Sequence, residues 1–109
     1  MAVDLSAQAP PRQVKRAALA AVADNLTLVI LPEWARLVTV AFMQSDELTT
    51  DTGYLTFAGV DGASKGSDWL PIPAGAAYVF EVNPAPDDNS AVYLAAATNS
   101  AFAHLSFER

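Results

Sequence analysis

Hydrophobic residues recur along this chain in short runs with a period of two, which is the pattern of β-strands rather than of helices. Turn-forming Gly, Pro, Asn and Asp residues separate one run from the next. The pattern predicts about seven short strands, at residues 26–31, 36–43, 54–58, 69–72, 77–82, 91–97 and 101–108. Such strands predict an all-β fold, either a compact β-sandwich or a jelly-roll-like barrel of antiparallel strands. The turn sequence at residues 32–35 further predicts that the first two strands form a hairpin.

The N-terminal part of the chain lacks the strand pattern. Pro10 and Pro11 favour extended geometry over helix. Residues 14–23 fit a helix or a strand, because Ala and Leu favour helices while a short apolar run before a strand-rich body can itself be a strand. We therefore expect an extended N-terminal arm at residues 1–23 and a β-sandwich domain at residues 24–109. Although Lys15 and Arg16 precede an apolar run, this run is short, alanine-rich and placed behind two prolines, so we expect no cleaved signal.

Several predicted strands have no polar face. Along residues 36–43, one side carries Val38, Val40 and Phe42, and the other carries Leu37, Thr39, Ala41 and Met43. An antiparallel sheet usually shows one solvated, polar face, so an uncharged second face suggests a surface covered by another chain. The alternative is that alanine, which surfaces tolerate, inflates the apolar count. The pattern thus indicates assembly and leaves an ordinary surface open.

Composition and charge narrow the function classes. The chain has 109 residues, enough for one domain, and no cysteine, which excludes disulfides and thiol chemistry. No apolar stretch approaches the roughly 20 residues that cross a bilayer. Residues 1–36 carry four basic and three acidic side chains, whereas residues 37–109 carry two basic and nine acidic ones. An acidic body with one small basic cluster argues against nucleic acid as the main partner.

Candidate chemistry is sparse, and no enzyme is predicted. His104, Ser106 and Glu108 share one face of the last predicted strand, but side chains two positions apart on a strand are roughly 7 Å apart, too far for a Ser–His hydrogen bond. Residues 61–68 and 87–89 have loop compositions in which calcium binding is a minor alternative to solvated turns. No cofactor or metal is predicted. A sugar-stacking platform would draw on the flat aromatic residues Trp34, Tyr54, Trp69, Tyr78 and Tyr93.

The strand sequences resemble those of small virion proteins of tailed bacteriophages. The resemblance covers residues 36–107 and rests on the segments 37–42, 53–59, 70–75, 78–81 and 92–95, that is LVTVAF, GYLTFAG, LPIPAG, YVFE and VYLA. It implies a non-enzymatic structural role in the virion: a capsid decoration or cement protein, a minor head protein, or a small tail or fibre-base component. The implied partners are other virion proteins, the major capsid protein above all, and further copies of the chain, with a trimer favoured.

These considerations define a candidate interface. We expect Leu37, Ala41 and Met43 to supply apolar contacts, because they lie on one face of an uncharged strand. We expect Arg12, Lys15 and Arg16 to add charge complementarity to an acidic neighbour. The competing hypothesis is a glycan-binding β-sandwich module, which can be a monomer.

Overall fold

The computed structural model describes residues 2–5, 12–82 and 91–109, and these residues form two β-sheets. The strands are β1 (Ala2–Asp4), β2 (Arg12–Ala18), β3 (Thr27–Ile30), β4 (Leu37–Met43), β5 (Gly53–Thr56), β6 (Leu70–Ile72), β7 (Ala77–Glu81), β8 (Ala91–Ala96) and β9 (Phe102–Glu108). One sheet has the order β1-β3-β8-β5-β6 and the other the order β2-β9-β4-β7. Neither sheet closes on itself, so the all-β fold is a sandwich and not a barrel. The described ranges hold no helix that could span a membrane.

All seven strands predicted from the sequence are present, with ends shifted by one or two residues. The predicted hairpin is wrong, because β3 lies in the five-stranded sheet and β4 in the four-stranded sheet. Residues 32–35 form a tight turn that the Ala35 N–H closes on the Pro32 carbonyl at 3.1 Å. Pro32 and Ala35 are buried while Glu33 is exposed, so this turn crosses from one sheet to the other with one side against the core.

The N-terminal residues that the structure describes belong to the sheets. β1 pairs in parallel with β3, and β2 pairs with β9 along its whole length. Leu5, Ala17 and Leu19 are buried in the same core as the rest of the sandwich. The structure therefore does not confirm an extended arm at residues 1–23, and it resolves the choice at residues 14–18 in favour of a strand. Charged residues at positions 12, 15 and 16 fall on both sides of β2 and hid its period-two pattern, and charges are common on an edge strand.

The antiparallel pairings are nested from the outside inwards. β2 pairs with β9, β3 with β8, β4 with β7 and β5 with β6. The chain thus resembles one long hairpin that folds over, after which β4 also meets β9 and β5 also meets β8. This arrangement places strands from distant parts of the sequence side by side, which period-two patterning cannot predict.

One hydrophobic core joins the two sheets. The four-stranded sheet contributes Phe42, Leu105 and Phe107, and the five-stranded sheet contributes Leu55 and Leu94, all at most 2 % exposed. The closest approach is at Gly53 of β5, where an added Cβ would lie 2.1 Å from the Phe42 ring. Only glycine fits at this position, because any side chain would occupy the space of the ring.

The outer face of the five-stranded sheet is covered by the chain itself. The cover loop (residues 57–69) is anchored by hydrogen bonds from the Leu26 N–H to the Ala63 carbonyl, 2.7 Å, and from the Leu28 N–H to the Asp61 carboxylate, 2.9 Å. Lys65 of this loop places its Nζ 4.7 Å from the centre of the Tyr54 ring. The loop therefore supplies this sheet with a second packed side.

Candidate functional site

The outer side of the four-stranded sheet is the candidate site, and we call it the open face. Its positions are the outward residues of β2, β9, β4 and β7, namely Arg12, Val14, Arg16, Ala18, Phe102, His104, Ser106, Glu108, Leu37, Thr39, Ala41, Met43, Ala77, Val79 and Glu81. Strand alternation puts them all on one side, since the intervening residues include the core of the sandwich. Five of the six residues of the predicted interface lie here: Arg12, Arg16, Leu37, Ala41 and Met43.

The sixth, Lys15, does not share that face. It pairs with Leu105, a core residue, and it has the same parity along β2 as buried Ala17. Lys15 therefore lies on the inner side of an edge strand, where it is half-buried at the margin of the sandwich. The sequence hypothesis had grouped it with Arg12 and Arg16 because β2 was not recognised as a strand.

Strand register arranges the open face in rows that run across the sheet. One row contains Val14, Ser106, Thr39 and Val79 and carries no charge. Val14 is 72 % exposed and Val79 is 52 % exposed, so the two ends of this row are apolar and in contact with solvent. A further row contains Ala18, Phe102 and Met43, again without charge. These uncharged rows alternate with two charged ones, of which one contains Arg12, Glu108 and Glu81 and the other contains Arg16 and His104.

The arginines of the open face have partners within the chain. Arg12 Nε lies 3.7 Å from Glu108 Oε1, the neighbouring residue in its row. Arg16 donates from one guanidinium nitrogen to both carboxylate oxygens of Glu47 at 2.6 Å. This hydrogen bond and the charge of Glu47 raise the pKa of Arg16. Both arginines are therefore already neutralised in part before any neighbour arrives.

Glu47 reaches the open face from the turn at residues 44–50. Asp46 organises this turn by accepting hydrogen bonds from the N–H groups of Leu48 and Thr49 at 2.9 Å and from the Thr49 hydroxyl at 2.8 Å. These bonds, the one from Leu48 foremost, lower the pKa of Asp46. Glu47 itself adopts a positive φ of 57°, a conformation that costs energy for a side chain of this size.

Glu47 also meets the only histidine. Its Oε1 lies 3.8 Å from His104 Nε2, a nitrogen that is buried and has no hydrogen-bond partner in the described part of the chain. Arg16 in turn stands over the Phe102 ring at 5.1 Å. The sequence analysis compared His104 with Ser106 and Glu108 and missed Glu47, because only the folded turn brings residue 47 to β9. The described contacts of this cluster are ion pairs, between Glu47 and Arg16 and between Glu47 and His104.

The aromatic residues proposed as a platform separate into different places. Tyr54 and Trp69 pair edge to face with ring centres 4.6 Å apart, and Lys65 Nζ lies over both rings. Trp34 packs instead against Phe107, and Tyr78 stacks with Phe80. Tyr93 lies beside Gly59 under the cover loop. The five aromatic residues therefore do not form one surface.

A groove of about 370 Å³ opens between the sheets next to the Tyr54–Trp69 pair. It is an open groove, and its lining residues are Leu55, Thr56, Phe57, Asp68, Trp69, Leu70 and Tyr78. Its size and mixed lining are those of small-molecule sites in general. The sequence hypothesis had indicated Trp69 and Tyr78 but missed Phe57, Asp68 and Leu70, which come from the cover loop and its junction with β6.

Comparison with known proteins adds no relative. The chain matches no protein-family model, no curated protein and no solved structure.

Within residues 2–5, 12–82 and 91–109 no group of three His, Cys, Asp or Glu side chains could hold a metal ion. The segment 87–89, one of the two calcium alternatives, lies outside these residues. In the other, Asp61 accepts a hydrogen bond from a backbone N–H.

Proposed function

We propose that this chain is a non-enzymatic structural protein of a tailed-phage virion, a capsid decoration or minor head protein that binds neighbouring subunits through its open face. The observation that carries the proposal is the uncharged row of that face that runs across all four strands from Val14 to Val79. A solvated antiparallel face is usually polar, whereas this row exposes apolar side chains at both of its ends. Its natural complement is another protein surface.

The strand order supports a place among jelly rolls, which is the finer fold assignment we propose. Eight strands, β2 to β9, pair as a nested hairpin and divide into sheets β2-β9-β4-β7 and β3-β8-β5-β6. Two four-stranded antiparallel sheets built from a folded-over hairpin are the jelly-roll arrangement, which viral capsid proteins and lectins both use. The addition of β1 beside β3 extends one sheet. Because a fold does not determine function, this order supports the proposal without carrying it.

Incorporation into particles tests the proposal. Mass spectrometry of purified virions of the phage that encodes the chain should detect it, and Thr39→Lys should reduce its copy number, because this change buries a charge at the centre of the interface. Val60→Lys is the control, since Val60 is an exposed apolar residue of the cover loop and lies away from the open face. Absence of the chain from virions, or equal incorporation of both variants, would contradict the proposal.

The groove supports a second candidate, a sugar-binding module. Trp69 in its lining and the carboxylate of Asp68 provide a stacking surface and a hydroxyl acceptor. Titration with glucose, galactose and N-acetylglucosamine oligomers should then change the tryptophan fluorescence. Trp69→Ala should abolish the change and Trp34→Phe, on the far side of the core against Phe107, should preserve it. Unchanged fluorescence with every sugar would leave the structural role as the better proposal.

A further inference from the structure

The four-stranded sheet ends in two edges of different chemistry. No described strand pairs with the outer edge of β2 or with that of β7. The β2 edge carries Arg12, Lys15 and Arg16, whereas the β7 edge carries Glu81 as its one charged residue. Unpaired edges invite further strands, and proteins usually guard them with charges. Here the charged residues of the two edges have opposite signs.

Strand direction allows the two edges to meet. β2 is antiparallel to β9, β9 to β4, and β4 to β7, so β2 and β7 run in opposite directions. A second copy, rotated about an axis along the strands, therefore presents its β2 antiparallel to β7 of the first. This pairing continues the alternation of the sheet from one copy into the next.

Strand register then predicts which residues face each other. Within one copy, Arg12 and Glu81 are the two ends of one row, and Val14 and Val79 are the ends of the next. A rotation about an axis along the strands keeps each row at its own height. It places Arg12 opposite Glu81 and Val14 opposite Val79 across the junction, and on the other side of the sheet it places Lys15 opposite Tyr78.

Each of these pairs is favourable. Arg12 with Glu81 is an ion pair, the two exposed valines bury each other, and Lys15 with Tyr78 brings a cation to an aromatic ring. Pairing of β2 with a second β2 about Val14 would instead place Arg12 opposite Arg16, which like charges disfavour. The charges therefore favour the β7 edge over a second β2 edge as the partner of β2.

We propose that copies of this chain join head to tail, with β2 of one copy paired to the β7 edge of the next. They form a closed ring in which one sheet continues from copy to copy and each copy contributes four strands. The inference rests on the proposed function, since it names a second copy as one neighbour in the assembly. Repetition of one such heterologous contact closes a ring when the rotation permits. The open face remains free in this ring to contact other proteins.

Charge exchange across the junction tests the register. Sedimentation velocity of the full chain should give a trimer or larger ring of the 11.5 kDa subunit. Glu81→Arg alone and Arg12→Glu alone should each weaken association about tenfold, because each juxtaposes like charges. The double variant should restore it. A monomeric wild type, or a double variant no better than the single ones, would overturn the proposal.

A backbone substitution tests the edge itself. The Val82 N–H bonds to the Arg36 carbonyl, so alternation directs the N–H groups of Glu81, Val79 and Ala77 away from β4. Val79→Pro therefore removes a donor from the free edge and leaves the ladder with β4 intact, whereas Val79→Thr keeps that donor. The proline variant should be monomeric and the threonine variant should form the ring; equal masses would overturn the proposal. Thermal unfolding confirms that both fold.

The two proposals fail separately. Thr39→Lys lies at the centre of the open face and should leave the ring mass unchanged while it lowers incorporation into virions. A chain that enters virions but shows no ring would overturn the edge pairing alone. A ring-forming chain that is absent from virions would overturn the virion function alone.

Discussion

The two sheets of this sandwich differ in what lies on their outer sides. Over the five-stranded sheet, the cover loop brings Lys65 and Trp69 against Tyr54 and anchors itself to residues 24–28 through backbone hydrogen bonds. Over the four-stranded sheet, the short turn at residues 44–50 contributes Glu47, which contacts Arg16 and His104 near one end. The uncharged row through Thr39 receives no such layer from the described residues.

The outer faces of the two sheets are therefore covered in different ways. A sheet with two apolar faces needs a partner for each face. The five-stranded sheet, whose strands have three to six residues, receives that partner from its own loop. The four-stranded sheet has three strands of seven residues and an outer face with an uncharged row through Thr39, which we propose is reserved for other subunits.

The largest loss of stability is expected from a substitution at the contact between the two sheets. Gly53→Ala should destabilise the protein by about 1–3 kcal/mol or more, because its Cβ would overlap the Phe42 ring. Chemical unfolding monitored by tryptophan fluorescence measures the loss. Phe42→Leu in the same chain should recover part of it by vacating the ring position, so the two changes are non-additive. Additive losses would mean that the sheets do not touch at this point.

A smaller difference in the free energy of unfolding is expected between substitutions on the covered face and substitutions on the open face. Trp69→Ala removes the ring that packs on Tyr54 and beneath Lys65, and we expect a loss of about 1–2 kcal/mol. Thr39→Lys on the open face should change stability by about 0.5 kcal/mol or less, because the monomer leaves room for the side chain. Trp69→Phe is the control that keeps an aromatic contact. Equal losses for Trp69→Ala and Thr39→Lys would remove the distinction between the faces.

The smallest effect concerns the turn that carries Glu47. The lowered pKa of Asp46 means that its ionised form stabilises the folded state. This contribution is present above the ordinary pKa of 3.8 and is lost as the pH falls through the lower pKa of the folded protein. Wild type should therefore exceed Asp46→Asn in stability at neutral pH, and the two should converge as the pH falls through the lowered pKa of the folded protein. Urea unfolding at several pH values measures this difference. A gap that stays constant with pH would show that the carboxylate charge does not organise the turn.

The sequence predicted the elements of the fold better than their arrangement. Residues 36–43 were identified as a strand because Val38, Val40 and Phe42 alternate with less buried positions, and this local signal survives in β4. The sequence pattern did not identify β2 as a strand, because Arg12, Lys15 and Arg16 interrupt its apolar alternation. The hairpin prediction failed because a four-residue connection can join two strands of one sheet or cross between sheets, and the residues of the turn fit both.

The candidate site was predictable to the extent that it depends on strand alternation. Leu37, Ala41 and Met43 share a face in any β-strand, so their joint position on the open face follows from spacing alone. The approach of Glu47 to Arg16 and His104 has no sequence signal, since it depends on a turn that folds back over a sheet. The groove likewise depends on how the cover loop meets β7.

The pattern of the sequence was enough to predict an all-β protein, the positions of the seven strands from β3 to β9, and a β4 without a charged side. These properties are local, because side-chain alternation and turn residues act over a few neighbouring positions. Only the tertiary structure decided which sheet each strand joined, which sheet received the cover loop, and which strands became edges. Those outcomes come from pairings between residues far apart in the chain, and their stability depends on the packing of the whole core around Phe42 and Gly53.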